Sequence, residues 1–132
     1  MFLDMVGIVA FALSGYILAS KAGLDILGIA LVSFVTAFGG GIIRDLMVDT
    51  TPFVFSETYP ILVAFITIII AYFLKLHHQT KLSENKLFLM SDTIGLTVFA
   101  VTGATIALGA GFNFGGVVAM ALLTAIGGGV IR

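Results

Sequence analysis

The stretch FGGGIIRD, Phe38–Asp45, closes a long apolar run with three consecutive glycines followed by an arginine and an aspartate, and IGGGVIR, Ile126–Arg132, repeats it. Glycine costs a helix interior about 1 kcal/mol relative to alanine, so three in a row need a physical reason, and their recurrence needs the same reason twice. Sliding the chain on itself by 88 positions aligns Asp4–Arg44 with Asp92–Arg132 without a gap, giving 16 identities in 41 positions. Asp4 meets Asp92, Gly7 meets Gly95, Phe11 meets Phe99, Gly15 meets Gly103, Ala19 meets Ala107, Gly23 meets Gly111 and Gly28 meets Gly116, and the pattern TA-x-GGG-x-IR recurs whole. Matches in this order mark an internal duplication.

The solvent of this chain is lipid. Its residues are 60% hydrophobic and 10% charged, and its mean hydropathy is +1.22, far from an ordinary soluble domain. The apolar residues come in runs approaching the roughly 17 to 20 needed to cross a hydrocarbon core about 30 Å thick. Five can be read, near Met5–Ser20, Ile26–Ile43, Ile61–Leu74, Thr93–Leu108 and Phe114–Ile131. The expected fold is therefore an all-α integral membrane protein. Residues 1–86 make a first three-helix repeat ending in a polar linker, and residues 87–132 make a second repeat that is incomplete. Because one unit crosses three times, the second copy enters from the opposite side and the repeats are inverted, a mark of many transport folds. Arg132 matches Arg44, after which the first copy continues, so at least one further helix is expected, on a longer chain or on a partner.

Composition also excludes. The chain has no cysteine, which removes disulfides, thiolate chemistry and cysteine metal sites. Its net charge of −1 gives no support for a nucleic-acid partner. The first basic residue is Lys21, after the first apolar run, so that run is not a signal peptide. Lys75, Lys81 and Lys86 in the linker, and Lys21 in the first connection, place those segments in the cytoplasm and the N-terminus outside. His77 and His78 are adjacent on the polar linker without acidic or cysteine neighbours in a ligand pattern, and read as a solvated loop. No Ser-His-Asp, paired-carboxylate or metal-ligand spacing stands out; enzyme activity, a metal and a cofactor are not expected.

In the first helix of each copy, Gly7, Gly15 and Gly23, and Gly95, Gly103 and Gly111, fall with Phe11, Ala19, Phe99 and Ala107 at every fourth position. Such rows let backbones approach, a main source of helix association in lipid, and the expectation is packing seams. Gly39, Gly40, Gly41 and Gly127, Gly128, Gly129 are expected to break or bend their helices. Irregular backbone survives in a membrane only where protein or water meets it, and matched interruptions in inverted repeats point to a transport pathway. Arg44 and Arg132 each cost about 2.5 to 3.5 kcal/mol at a helix centre on insertion scales, so they need partners or water. Adjacent helical residues do not face one another, so Arg44 is expected to pair less with Asp45 than with a carbonyl, a lipid phosphate or another acid, or to snorkel to the interface. Thr36 and Thr124, four residues before the central glycines, line a pore or bond back to the preceding turn.

The duplicated GGG-x-IR at the ends of the second and fifth helices, in a three-plus-three inverted repeat, resembles the trimeric intracellular cation channel family and its prokaryotic relatives, some of which carry a glycine-transporter label. The resemblance implies seven helices, of which the sixth and seventh are absent from this sequence. It also implies a homotrimer with a pore in each protomer between helices kinked at Gly39–Gly41 and Gly127–Gly129, and permeation of monovalent cations, chiefly potassium. Under it, Thr36, Thr124, Arg44, Asp45 and Arg132 are the pore-lining or gating candidates. Permeant potassium or sodium and bound lipid are the ligands this reading allows, no cofactor is expected, and the expected location is a bacterial cell membrane. A small-amino-acid carrier that alternates access, and a purely structural assembly subunit, stand beside the channel as other readings.

Overall fold

The computed structural model describes residues 2–74 and 81–131, and of 81–84 and 131 the backbone only. Lys75, His77, His78 and Arg132, on which the linker reading and one pore candidate rest, lie outside the described residues. Helices α1 (Phe2–Lys21), α2 (Ile26–Met47), α3 (Phe53–Ser56), α4 (Tyr59–Phe73), α5 (Lys81–Gly109) and α6 (Phe114–Ile131) make up the described secondary structure.

The ends follow from local chemistry. The chain leaves α1 through Gly23 at φ 76°, where the Gly23 N–H donates to the Ser20 carbonyl and the Leu24 N–H to the Ala19 carbonyl. These two bonds define a Schellman stop, which favours glycine because its left-handed residue has no Cβ to clash. Asp25 then starts α2 by accepting from the Gly28 N–H at 2.9 Å, satisfying one of the unpaired donors of the first turn. The same turn recurs after α5. Gly111 has φ 83°, Gly111 and Phe112 donate to Leu108 and Ala107, and Asn113 caps α6 by accepting from Gly116 at 2.8 Å. Helix α5 begins twelve residues before the apolar run expected at Thr93, because Lys81–Asp92 contains no glycine or proline to stop a helix from extending beyond the membrane segment. The short α3 and its Pro52 cap were not foreseen.

By length and composition, α1, α2 and Asn85–Gly109 can each cross a membrane, while α4 and α6 are apolar but shorter. At about 1.5 Å per residue, the 15 residues of α4 rise roughly 22 Å. Helix α1 runs antiparallel to α5. Gly7 meets Phe99, Phe11 meets Gly95, Ser14 meets Asp92 and Lys21 meets Asn85, so each step up one helix is a step down the other. Helices α2 and α6 are antiparallel in the same way, with Gly40 against Thr124 and Gly128 against Thr36. Opposed running of corresponding helices is the geometry of an inverted repeat. Helix α4 lies against α1, where Ala64 and Ala71 are fully buried.

The interior is small and aromatic, built on Ile8, Phe11, Ala12, Ala37 and Phe99. The outward faces carry exposed Leu27, Leu31, Phe65, Ile66, Ile70 and Leu122, a surface that suits lipid rather than water.

Candidate functional site

Two features occupy the middle and one end of the bundle: the crossing of α2 with α6, and a charged node around Arg44.

At the crossing, the helical assignment of both helices continues through the triple glycines. The expected break is therefore not an unwinding, and the glycines form a place where two backbones touch. A Cβ at Gly40 would lie under 3.0 Å from the Thr124 carbonyl oxygen, and one at Gly128 equally close to the Thr36 carbonyl oxygen. A Cβ at Gly127 would lie 2.9 Å from the Cα of Gly40. Only glycine permits this approach, in which Cα–H groups face carbonyl oxygens across the crossing, a contact worth about 0.5–1 kcal/mol each. Gly41 makes room for something else: the ring of Phe53, which fills the space a Cβ would need. Gly39 is buried and Gly129 half-buried on the same helices.

The small residues of α1 and α5 divide into two kinds. A Cβ at Gly7 would sit 2.8 Å from the Phe99 ring, and one at Gly95 2.5 Å from the Phe11 ring, while Phe11 and Phe99 lie 5.2 Å apart between them. Gly15 lies against Ser33 and Thr36 of α2, and Gly103 against Thr124 and Met120 of α6, each with less than 3.0 Å for a Cβ. Gly23 and Gly111, expected in the same seams, are not packing residues. Nothing lies within 4 Å of a Cβ at either, and their conformation, not their size, is what the turn requires.

Thr36 bonds back to the Val32 carbonyl at 2.7 Å, whereas the buried hydroxyl of Thr124 has no hydrogen-bond partner among the described residues. Both hydroxyls face the first helix of their own repeat, against Gly15 and Gly103, and it is their carbonyls that face the crossing.

Arg44 sits one helical turn beyond Gly40 and so on the face of α2 that meets α6. Its side chain is 2% exposed, which rules out snorkelling. Nη1 donates to Asp4 Oδ1 at 2.7 Å and to Thr102 Oγ1 at 3.4 Å, and Nε donates to Asp45 Oδ1 at 2.9 Å. The sequence argument against Asp45 as a partner fails for a specific reason. The Phe53 N–H donates to Asp45 Oδ2 at 2.8 Å, so the chain after α2 folds back and holds the carboxylate within reach of the long arginine stem. The Phe53 ring also covers the guanidinium, with Cζ 5.3 Å from the ring centre, close enough for a cation–π contact. One cation thus joins two carboxylates, with α1, α2, α5 and the α3 segment all tied to it. Charge-assisted bonds of this kind are roughly twice as strong as neutral ones.

Asp4, Thr102 and Phe53 are the functional candidates that sequence reasoning missed. The signal was present for Asp4, since an acid at the start of an apolar run and an arginine at the end of the next are adjacent ends of an antiparallel pair. For Thr102 and Phe53 there was none. A cavity of about 680 Å³ between α1, α2 and α4 is lined by apolar and tyrosine side chains such as Tyr16, Ile29, Phe65 and Tyr72. It supplies no ionised group and lies apart from both features, so the site is placed at the crossing and the node. Among the described residues, no group of three or more His, Asp or Glu side chains converges as a metal site.

The glycine transporter family matches residues 1–76 and 89–132 of the chain. A membrane protein of Bacillus subtilis strain 168, UPF0126 membrane protein YvgT, is 40% identical over 98% of this chain and 64% of its own length. The UPF0126 inner membrane protein YadS of Escherichia coli K12 is 35% identical over 98% of this chain and 62% of its own. The chain thus spans less than two thirds of the length of these relatives. Among solved structures, the orthologue of the TRIC trimeric intracellular cation channel from Rhodobacter sphaeroides superposes with a TM-score of 0.89 at 36% identity, over 99% of this chain and 66% of that one. A prokaryotic TRIC channel crystallised in 0.5 M KCl gives 0.92 at 33% identity with the same coverage. Inverted helices meeting at paired glycines thus belong to a backbone already seen in channels, and the chain is a multi-pass membrane protein of the glycine transporter family with the TRIC channel fold.

Proposed function

We propose that this chain forms the pathway of a monovalent cation channel, with potassium as the chief permeant ion and one pathway in each protomer of a homotrimer. The observation that carries the reading is the reciprocal contact of α2 and α6 at Gly40 and Gly128, in a backbone that follows that of TRIC channels. A crossing built from weak contacts between backbones, and not from interlocked side chains, is one that can part. Parting leaves the carbonyls of Thr36 and Thr124 facing the gap, and carbonyl oxygens are suitable replacements for the hydration shell of a monovalent cation. Lys21 and Asn85 meet at the end of the bundle opposite Asp4 and Arg44. With basic residues facing inward, that end is cytoplasmic and the N-terminus lies outside, in a bacterial cell membrane with lipid as the surrounding partner.

The family description favours a second reading, a glycine carrier. Such a carrier must hold a carboxylate, and the one buried cation among the described residues, Arg44, is committed to Asp4 and Asp45. The two readings separate in one experiment, in which purified protein in liposomes is assayed for potassium flux and for uptake of labelled glycine. Potassium flux without glycine uptake is the expected result. Saturable glycine uptake without potassium conductance would replace the channel by the carrier.

A further inference from the structure

Two aromatic rings lie at the centre of the bundle, where the two repeats meet. Phe11 of α1 and Phe99 of α5, matched residues of the duplication, are fully buried with ring centres 5.2 Å apart. Each ring fills the space that a Cβ would take at a glycine of the facing helix, Gly95 or Gly7, and each also reaches the crossing of α2 with α6. Cδ2 of Phe99 would lie 3.4 Å from a Cβ at Gly40, and Cδ2 of Phe11 3.4 Å from a Cβ at Gly128. About one helical turn after each ring stands a buried hydroxyl. Thr102 donates to the Phe99 carbonyl at 3.2 Å and accepts from Arg44 at 3.4 Å, while Ser14 donates to the Phe11 carbonyl at 3.3 Å and to Asp92 Oδ1 at 3.4 Å. Because α1 and α5 run in opposite directions, Thr102 lies toward the Asp4 end and Ser14 toward the other. The interior therefore reads polar, two rings, polar.

We propose that the Phe11–Phe99 pair is the gate of the pathway, an apolar plug at its midpoint that stops ions by excluding water. This rests on the pathway reading given above. Parting α2 from α6 at Gly40 and Gly128 does not by itself open a continuous path, because the two rings still fill the α1–α5 side of the gap. A narrow passage walled by rings stays dry, as apolar cavities do. A cation that sheds its hydration shell finds no replacement oxygen there, so a dewetted constriction is closed to it. Opening requires the rings to turn aside, which joins the hydroxyls of Ser14 and Thr102 to the carbonyls of Thr36 and Thr124 in one row of oxygens. The inverted repeat supplies one ring from each copy, so the plug is the same seen from either face of the membrane.

The test places the full chain in potassium-loaded liposomes and reads efflux per folded protein. Phe11→Asn and Phe99→Asn, which put an amide where a ring was, should each wet the plug and raise efflux at least tenfold over the unsubstituted protein. Phe11→Leu and Phe99→Leu, smaller but apolar, should stay within twofold of it. Phe99→Tyr keeps the ring and adds one hydroxyl; it should raise efflux at least threefold, and it decides the matter where asparagine folds poorly. A second readout uses the absence of native cysteine. Ser14→Cys lies beyond the rings as seen from the Asp4 face, and an impermeant thiol reagent applied to that face should label it at least tenfold faster when Phe99→Asn is also present. Folded polar variants in which neither readout moves overturn the proposal, as does an equal rise in the leucine variants, which describes lost bulk and not lost dryness. Labelling of Ala64→Cys, in the fully buried α1–α4 seam, in the Phe99→Asn protein also overturns it, since that describes a loosened bundle. Potassium efflux from the unsubstituted protein with neither readout moved removes the plug and leaves the channel. Faster labelling of Ser14→Cys without potassium efflux in any variant removes the channel reading and leaves the plug.

Discussion

Alanine at Gly40 adds one methyl group where the structure leaves no room for it. The new Cβ would lie under 3.0 Å from the Thr124 carbonyl oxygen and 3.2 Å from its carbon, whereas ordinary contact begins at 3.4 Å. The obstacle is backbone in a helix, so no side chain can rotate away, and α2 and α6 must part by about an ångström along the crossing. Overpacking of this kind costs about 1–3 kcal/mol, and lost dispersion along the separated helices adds to it. Against this, alanine improves helix propensity by about 1 kcal/mol. With the obstacle a carbonyl on each side, the strain lies at the upper end of its range, and the net expectation is a loss of about 2 kcal/mol. Gly128→Ala should cost the same, because its Cβ meets the Thr36 carbonyl in the mirrored contact. The double variant should cost less than twice either one, since helices already parted by the first methyl have room for the second. Gly109→Ala, where nothing lies within 4 Å, is the control and should be neutral or slightly stabilising. Unfolding in detergent by thermal or denaturant titration measures all four. If Gly40→Ala proves as stable as Gly109→Ala, the crossing is not a close backbone contact and the argument built on it fails.

Two further expectations concern the repeated turn. Gly23→Ala and Gly111→Ala should each destabilise by about 1–2 kcal/mol despite open space around them, because both residues hold a left-handed conformation that a Cβ disfavours; Gly23→Asn should recover part of the loss, and equal stability of the alanine and asparagine variants would contradict this. Asp25→Ala and Asn113→Ala should each cost about 0.5–2 kcal/mol by leaving an N-terminal donor of α2 or α6 unpaired, read as earlier melting of helical circular dichroism, whereas Asp25→Asn should be nearly neutral.

The letters of this chain settle what depends on composition and order. Lipid as solvent follows from the sum of its side chains, and the duplication follows from identities at a constant spacing. The inverted relation of the copies follows from an odd number of crossings. All three are additive or countable along a line. The row Gly7, Gly15, Gly23 shows where this stops. One letter serves two physical needs, absence of a Cβ against a neighbouring helix and tolerance of a positive φ, and only the tertiary structure separates Gly7 and Gly15 from Gly23. The triple glycines were legible as exceptional, but whether a costly run unwinds or is held helical depends on what lies opposite, and here a second helix with its own glycines lies opposite. Arg44 called for a partner from its charge alone. Which partner was decided by the antiparallel return that brings Asp4 beside it and by the Phe53 amide that turns Asp45 toward it, contacts whose energies depend on distances in space that no spacing along the chain contains.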